Sequence, residues 1–231
     1  LASLSPAGNR RLLFRMKKFF KIILFPVLSY FYKLYSSKER NYSHNGIKVK
    51  ILPGVFHPGL FFSTKLLIEY VSELSIKDKK VLELGAGSGL ISAYCAKQNA
   101  VVTASDISAI AVENIKLNAL SNKVLINIIK SDLFDGIEKQ EFDFIIINPP
   151  YFPKDPKNES ESAWFCGSDF QYFKKLFSQL NNYKTSNSIV LMILSEDCDI
   201  NRIKSIAEEN NYNISVVFQK KVLWEENFIY R

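Results

Sequence analysis

From residue 46 onward the apolar positions change period repeatedly along the chain, and the changes predict its elements. GIKVKIL (46–52) alternates apolar and polar residues, the mark of a short strand or hairpin arm. STKLLIEYVSEL (63–74) carries apolar residues at helical spacing behind two candidate N-caps, Ser63 and Thr64. KKVLELG (79–85) is an apolar strand, LISAYCAKQ (90–98) a helix, VVTASD (101–106) a strand and IAVENIKLNAL (110–120) a helix. KVLINIIKSD (123–132) and FDFIIINPP (142–150) read as strands, DFQYFKKLFSQLNNY (169–183) as a helix and NSIVLMILS (187–195) as a strand. INRIKSIAEENN (200–211) is a helix, and NISVVFQKKV (213–222) and ENFIYR (226–231) close the chain as two strands. Strands alternating with helices of ten to fifteen residues mean βαβ units and a parallel sheet. The last two strands are too close for a helical crossover, so they form an antiparallel pair at the sheet's edge.

The first 45 residues break this rhythm and are read as an extension in front of a domain spanning 46–231. Within it, LASLSPAGNRRLLFR (1–15) precedes Met16, which opens MKKFF as a natural start does, so those fifteen residues read as appended or as a misassigned start. Residues 17–35, KKFFKIILFPVLSYFYKLY, form a basic apolar helical stretch interrupted by Lys21, Pro26 and Lys33. A spanning helix needs about 20 predominantly apolar residues. The expectation is a helix packed on the domain, with peripheral contact to anionic lipid as the other reading.

Composition adds bounds. At 231 residues, 47% apolar and 23% charged, the chain suits one α/β domain with a modest extension. Cys95, Cys166 and Cys198 show no metal-ligand spacing and cannot form an even disulfide framework, which fits a reducing cytoplasm. His44 and His57 are too few for a histidine-based metal site, and no metal is expected. The net charge of +7 favours an acidic or polyanionic partner.

The chemistry lies at the ends of the predicted strands. VLELGAGSGLIS (81–92) sets Gly85, Gly87 and Gly89 between a strand and its helix. Glycines there let the backbone approach a ligand closely and open a helix N-terminus that attracts a negative group. Glu83, an acid in a buried apolar strand, is costly unless something pairs with it, and a ligand ammonium would do so. Asp106 ends the next strand about twenty residues after the glycines, where an acid binds both hydroxyls of a ribose; the alternative is an N-cap for the following helix. Asp132 ends the third strand beside Leu133 and Phe134, placed to accept from an exocyclic amine. Three successive parallel strands that each bring an acid to one edge point to a ligand outside their carboxyl ends.

ELGAGSG, then Ser105–Asp106, then SDLF and finally NPPY (148–151) together resemble the class I S-adenosylmethionine-dependent methyltransferases, in the HemK-like branch that methylates planar nitrogens. The resemblance covers roughly residues 56–231. It implies a Rossmann-like, mostly parallel seven-stranded sheet with an antiparallel last strand. It implies that Gly85, Ala86, Gly87, Ser88 and Gly89 line the methionine part of S-adenosylmethionine, with Glu83 nearby. Asp106 and Ile107 then meet the ribose, and Ser131, Asp132 and Leu133 the adenine. An NAD dehydrogenase rivals this reading only for the glycine turn and Asp106.

The fourth strand delivers Asn148, Pro149, Pro150 and Tyr151 to the same edge. A planar NH₂ is a poor nucleophile because its lone pair is delocalised, so its position decides the rate. The side-chain oxygen of Asn148 and the main-chain carbonyl of Pro149 can accept its two N–H groups, with the ring of Tyr151 as a stacking face. The prolines' fixed φ holds the acceptors without ordering entropy.

Flanking segments extend the resemblance. In GVFHPGLFFSTKLL (54–67), Pro58 and Thr64 match the cofactor-covering segment of protein-glutamine and RNA methyltransferases, with Phe62–Ser63 where many relatives carry an acid. His57 beside it reads as a surface or packed histidine, with reach to the substrate as the other reading. After NPPY, Glu161, Ala163, Trp164 and Gly167 match the loop of release-factor methyltransferases, with Cys166 in place of a glycine. This polar loop is long enough to act as a lid, and Trp164 either walls the substrate pocket or anchors the loop. The expected activity is transfer of methyl to a protein glutamine, as in a translation release factor. The alternative is an adenine N6 or guanine N2 amine in rRNA or tRNA, and a third reading is a non-catalytic cofactor-binding module.

Overall fold

The computed structural model describes residue 32 and residues 34–231 other than 224. Segment 1–15 lies outside the described residues, as does 17–35 but for Tyr32, Leu34 and Tyr35. The chain divides into two compact units, Leu1–Lys38 and Glu39–Arg231. Among the described residues the second unit carries nine strands and five α-helices, and no described helix is long and apolar enough to cross a membrane.

β1 (Arg40–His44) and β2 (Ile47–Ile51) form an antiparallel hairpin. Its turn, Asn45–Gly46, has φ of 47° and 77°, the paired positive values that a two-residue hairpin turn demands. The alternation read at 46–52 is realised literally: Ile47, Val49 and Ile51 are buried and Lys48 and Lys50 exposed.

The main sheet comprises β3 (Lys80–Leu84), β4 (Val101–Asp106), β5 (Ile126–Lys130), β6 (Phe142–Ile147), β7 (Lys184–Ser195), β8 (Val216–Val222) and β9 (Glu225–Tyr230). Their order is β5-β4-β3-β6-β7-β9-β8. Strands β3 to β7 pair in parallel, while β9 runs antiparallel to both β7 and β8 and completes the expected edge pair. The chain steps outward from β3 to β5, then returns to place β6 on the other side of β3. Such a reversal leaves a crevice at the carboxyl ends of the two central strands, because the crossovers leave them in opposite directions.

Both faces of the sheet are buried, so its strands read as apolar runs. Val81, Phe144, Ile146, Leu191 and Ile193 belong to one core with residues of α1 (Ser63–Ser72) and α2 (Leu90–Lys97). Leu82, Ile145, Ile147, Met192 and Leu194 belong to the other with residues of α4 (Gln171–Leu180) and α5 (Ile200–Glu209).

Two local expectations are corrected. Ser63 and Thr64 do not cap α1: Phe62 stands at the cap in right-handed conformation with no side-chain cap bond, so both hydroxyls fall inside the first turn. The helix read at 169–183 begins only at Gln171, because Phe170 takes φ +56° at its cap.

The remaining helix, α3 (Ala109–Asn122), docks the hairpin on the domain. Asn114, Asn118 and Asn122 are buried on one face of it and hydrogen-bond the backbone edge of β2. Leu52 N, Lys50 N and Lys48 N donate to the three Oδ1 atoms at 2.9, 2.8 and 3.1 Å. The amide nitrogens return bonds to the carbonyls of Lys50 and Lys48 at 2.7–2.8 Å.

Candidate active site

The crevice at the switch point opens into a cavity of about 470 Å³, within the range of small-molecule sites. Of the residues singled out in the sequence, Glu83, Gly85–Ser88, Asp106, Ile107, Ser131–Leu133, Asn148–Tyr151, Pro58, Thr64 and Trp164 all line it. Gly89 stands outside the wall as the left-handed N-cap of α2, at φ +71°. A Cβ there would come 3.1 Å from Ile115 Cγ2, so glycine is required both by conformation and by space.

Glu83 already has a partner within the protein. Its Oε2 accepts from Ser92 N at 2.8 Å and from the Ser92 hydroxyl, leaving Oε1 outside these contacts. Burial pushes the carboxyl up to about 8, against the pull of the two Ser92 bonds. Ser92 is thus a partner for this acid within the protein, and the low dielectric keeps it largely neutral.

Asp106 closes the glycine turn. Gly87 N donates to its Oδ2 at 2.8 Å and Ser108 N to its Oδ1 at 2.9 Å. Burial raises its carboxyl above the ordinary range, opposed by these backbone N–H groups. It does not cap α3, because Ser108 does: its Oγ accepts from Ala111 N. Asp132 is half exposed and bound to Lys175 Nζ at 2.5 Å, and the same ammonium lies 2.6 Å from Asp135.

Asn148 lies two residues beyond Ile146, the partner of Glu83 on the adjoining strand, so both side chains rise from one face of the sheet. Its Nδ2 donates to Ser63 Oγ at 3.2 Å and Thr64 Oγ1 at 3.5 Å. Tyr151 is packed into the wall, its hydroxyl bonded to Ser195, and burial raises the phenol well above its usual range. It is no general base at neutral pH.

The segment after NPPY is an ordered strap. Phe152 bridges to Phe165, with Phe152 N on Trp164 O at 3.1 Å and Cys166 N on Phe152 O at 2.9 Å. Trp164 both walls the cavity and anchors the strap: its ring lies 5.2 Å from Phe56 and 5.1 Å from Phe61, which stack on each other. Glu159 reaches Ala109 N at 3.1 Å and Lys130 Nζ at 3.3 Å. The Cys166 thiol, pushed up to about 11 by burial, is no nucleophile. His57 is packed: it is buried, accepts from Gly59 N at 3.1 Å and does not line the cavity.

Several wall residues gave no signal in the sequence. Lys175, Phe56 and Phe61 come from segments joined only by folding, as do Ser195 and Asn227, paired across β7 and β9. Asn227 is buried, and its Nδ2 has no hydrogen-bond partner. No group of three or more His, Cys, Asp or Glu able to hold a metal occurs among the described residues.

Comparison with known proteins points one way. The profile of the methyltransferase small domain family matches residues 46–164. A relative from Methanocaldococcus jannaschii named as a protein N5-glutamine methyltransferase is 33% identical over 191 residues, covering 78% of this chain and 92% of its own. A release factor glutamine methyltransferase of Fusobacterium nucleatum is 29% identical, covering 79% of this chain and 58% of its own. For a ribosomal RNA small subunit methyltransferase C of Buchnera aphidicola the figures are 34%, 60% and 42%, so the chain spans only about half the length of these last two. Among solved structures, the Thermus thermophilus 16S rRNA N2 G1207 methyltransferase with AdoMet and guanosine superposes with TM-score 0.61 at 19% identity, over 83% of this chain and 49% of that one.

The state of Glu83 gives a pH prediction. The folded protein retains a proton on Glu83 that the unfolded chain loses, between the ordinary value of 4.5 and about 8. Stability of the ligand-free protein therefore falls as pH rises through that window, by up to about 1.4 kcal/mol per pH unit from this one group. Urea unfolding at pH 5 and pH 8 measures the fall. Glu83→Gln, which keeps a neutral acceptor for Ser92, should flatten most of the slope; an unchanged slope contradicts the assignment.

Proposed function

We propose that this chain, which belongs to the methyltransferase small domain family, methylates the side-chain amide of a glutamine in a protein substrate. Membership makes it an S-adenosylmethionine-dependent methyltransferase. The cavity fits that cofactor on a ground of its own. Glu83 is a buried carboxyl, largely protonated and with one oxygen uncommitted, whose ionised form gains stability from a cation brought beside it. Glu83 would hold the cofactor's ammonium, the glycine turn its carboxylate, Asp106 its ribose, and Ser131 to Leu133 its adenine. When bound, the cofactor supplies an electrophilic methyl on a sulfonium.

The observation that carries the nitrogen assignment is the tether of Asn148. Its two N–H groups are directed to Ser63 and Thr64, so its Oδ1 is the atom left to meet a substrate. An amide NH₂ can donate one hydrogen there and the other to the Pro149 carbonyl. Both acceptors strengthen their hold as positive charge develops on the nitrogen, and neither must reorganise during transfer. The proton shed from nitrogen leaves afterwards to solvent, which accords with the absence of a basic side chain among these contacts.

Charge distribution supports a protein over an RNA substrate. Eight of the chain's 30 Lys and Arg precede residue 39 and none of its acids do, so unit 39–231 holds 22 basic against 23 acidic residues. The net positive charge is thus absent from the unit that contains the cavity, whereas nucleic-acid binding rests on basic faces. The glutamine methyltransferase relatives, one matched over 92% of its length, support the same choice. A cytoplasmic setting suits both such a substrate and three free, buried cysteines.

Asn148→Ala should lower kcat by at least about 100-fold, the scale of losing one preorganised polar contact to the transition state, with cofactor Kd within about 3-fold of the parent by calorimetry. Lost cofactor binding with retained activity would refute the role. Substrate class is decided by incubating the protein with methyl-labelled S-adenosylmethionine and cell extract. Label that survives ribonuclease but not protease, with a 14-Da increment on a glutamine peptide, is the expected result; the reverse identifies a base amine in RNA.

A further inference from the structure

We propose that Asn118 is a positioning residue for the cofactor, joining with one side-chain amide the two walls between which the cofactor lies. One wall is the glycine turn. The other is the segment that leaves β2 and supplies Gly54 to Phe56 and, at the start of α1, Ser63 and Thr64. Far apart in sequence, these walls belong to separate elements: β2 has its strand partner in β1 and is outside the main sheet.

Beside the burial of Ile47, Val49 and Ile51, the asparagine face of α3 holds β2 along its backbone edge, and its spacing has a physical basis. Four residues of α-helix rise about 6 Å, and two residues of β-strand advance about 6.6 Å. Asparagines at positions 114, 118 and 122 therefore keep step with the outward-facing backbone groups of alternate strand residues. Each offers an acceptor and a donor, as a neighbouring strand would, and this satisfies polar groups that would otherwise be buried unpaired.

Asn118 differs from its neighbours in its third bond. Its Oδ1 accepts from Lys50 N at 2.8 Å, and one Nδ2 hydrogen goes to Lys50 O at 2.8 Å. The other goes to Ser88 O at 2.8 Å. Ser88 is buried in the cavity wall between Gly87, whose N–H holds Asp106, and Gly89, the left-handed cap of α2. Fixing the Ser88 carbonyl fixes the peptide plane in the middle of the turn, and the same amide fixes β2 against it. Asn122 makes a similar number of bonds, but they go to Lys48 N and O, Asn118 O and Ser121 Oγ. None of them reaches the glycine turn.

That contrast supplies the test. Asn118→Leu and Asn122→Leu each remove a comparable set of buried hydrogen bonds, so both should lower Tm. S-adenosylmethionine Kd is then measured by calorimetry at least 20 degrees below each Tm, along with kcat at saturating cofactor. The expected result is a Kd raised about 10-fold or more for Asn118→Leu and within about 3-fold of the parent for Asn122→Leu, with kcat of both near the parent value. Should Asn118→Leu not fold, Asn118→Asp retains the acceptor for Lys50 N while losing both donors, and the same shift is expected of it. Equal changes in Kd at the two positions, or no change at either, overturn the proposal and leave the asparagines as a docking device only.

Discussion

Hydroxyls on the first turn of α1 take up the side-chain N–H groups of Asn148, and that tether sets the polarity of the cavity's centre. An amide can present a donor or an acceptor; engaged from behind, this one presents oxygen. The arrangement depends on α1 starting where it does. With Phe62 at the helix cap, Ser63 and Thr64 are relieved of capping and sit inside the first turn. β2, whose chain runs into the segment preceding α1, is hydrogen-bonded along its edge by the asparagines of α3.

The acids of the cavity obey a related constraint. Glu83 and Asp106 are both buried, and bare carboxylates there would be costly. Each is met by groups that the fold supplies locally: Ser92 in the first turn of α2, and the backbone N–H groups of Gly87 and Ser108. The cavity is therefore built for polar contact before any ligand enters, and Glu83 stays close enough to neutral to respond to one. Asp132 shows the opposite solution. Half exposed, it is paired with Lys175 from α4, tying that end of the wall to the helix that follows the strap.

How much of this was legible in the chain follows from where each signal lives. The period changes gave the order of strands and helices because both sheet faces are buried and the central strands are near-continuous apolar runs. Glu83, Asp106, Asp132 and Asn148 were legible because acids and amides at the tips of apolar runs are costly unless they serve a purpose. Ser63 and Thr64 were misread as caps, since the local pattern that marks a cap does not say which residue will occupy it. Asn114, Asn118 and Asn122 gave no signal. A mid-helix asparagine reads as a polar surface residue, and only the docking of a strand edge that lies 62 to 74 positions away turns it into a partner. The collar of Phe56, Phe61 and Trp164, and the reach of Glu159 to Lys130, likewise join segments that no local window contains.

The central claim, an amide oxygen held out to a planar nitrogen, is tested most directly by a crystal structure with S-adenosylhomocysteine and a glutamine-containing peptide. The account places Asn148 Oδ1 within about 3.2 Å of the acceptor nitrogen, with Nδ2 still on Ser63 and Thr64. An amide turned the other way, its oxygen on those hydroxyls and its nitrogen facing the substrate, would contradict it.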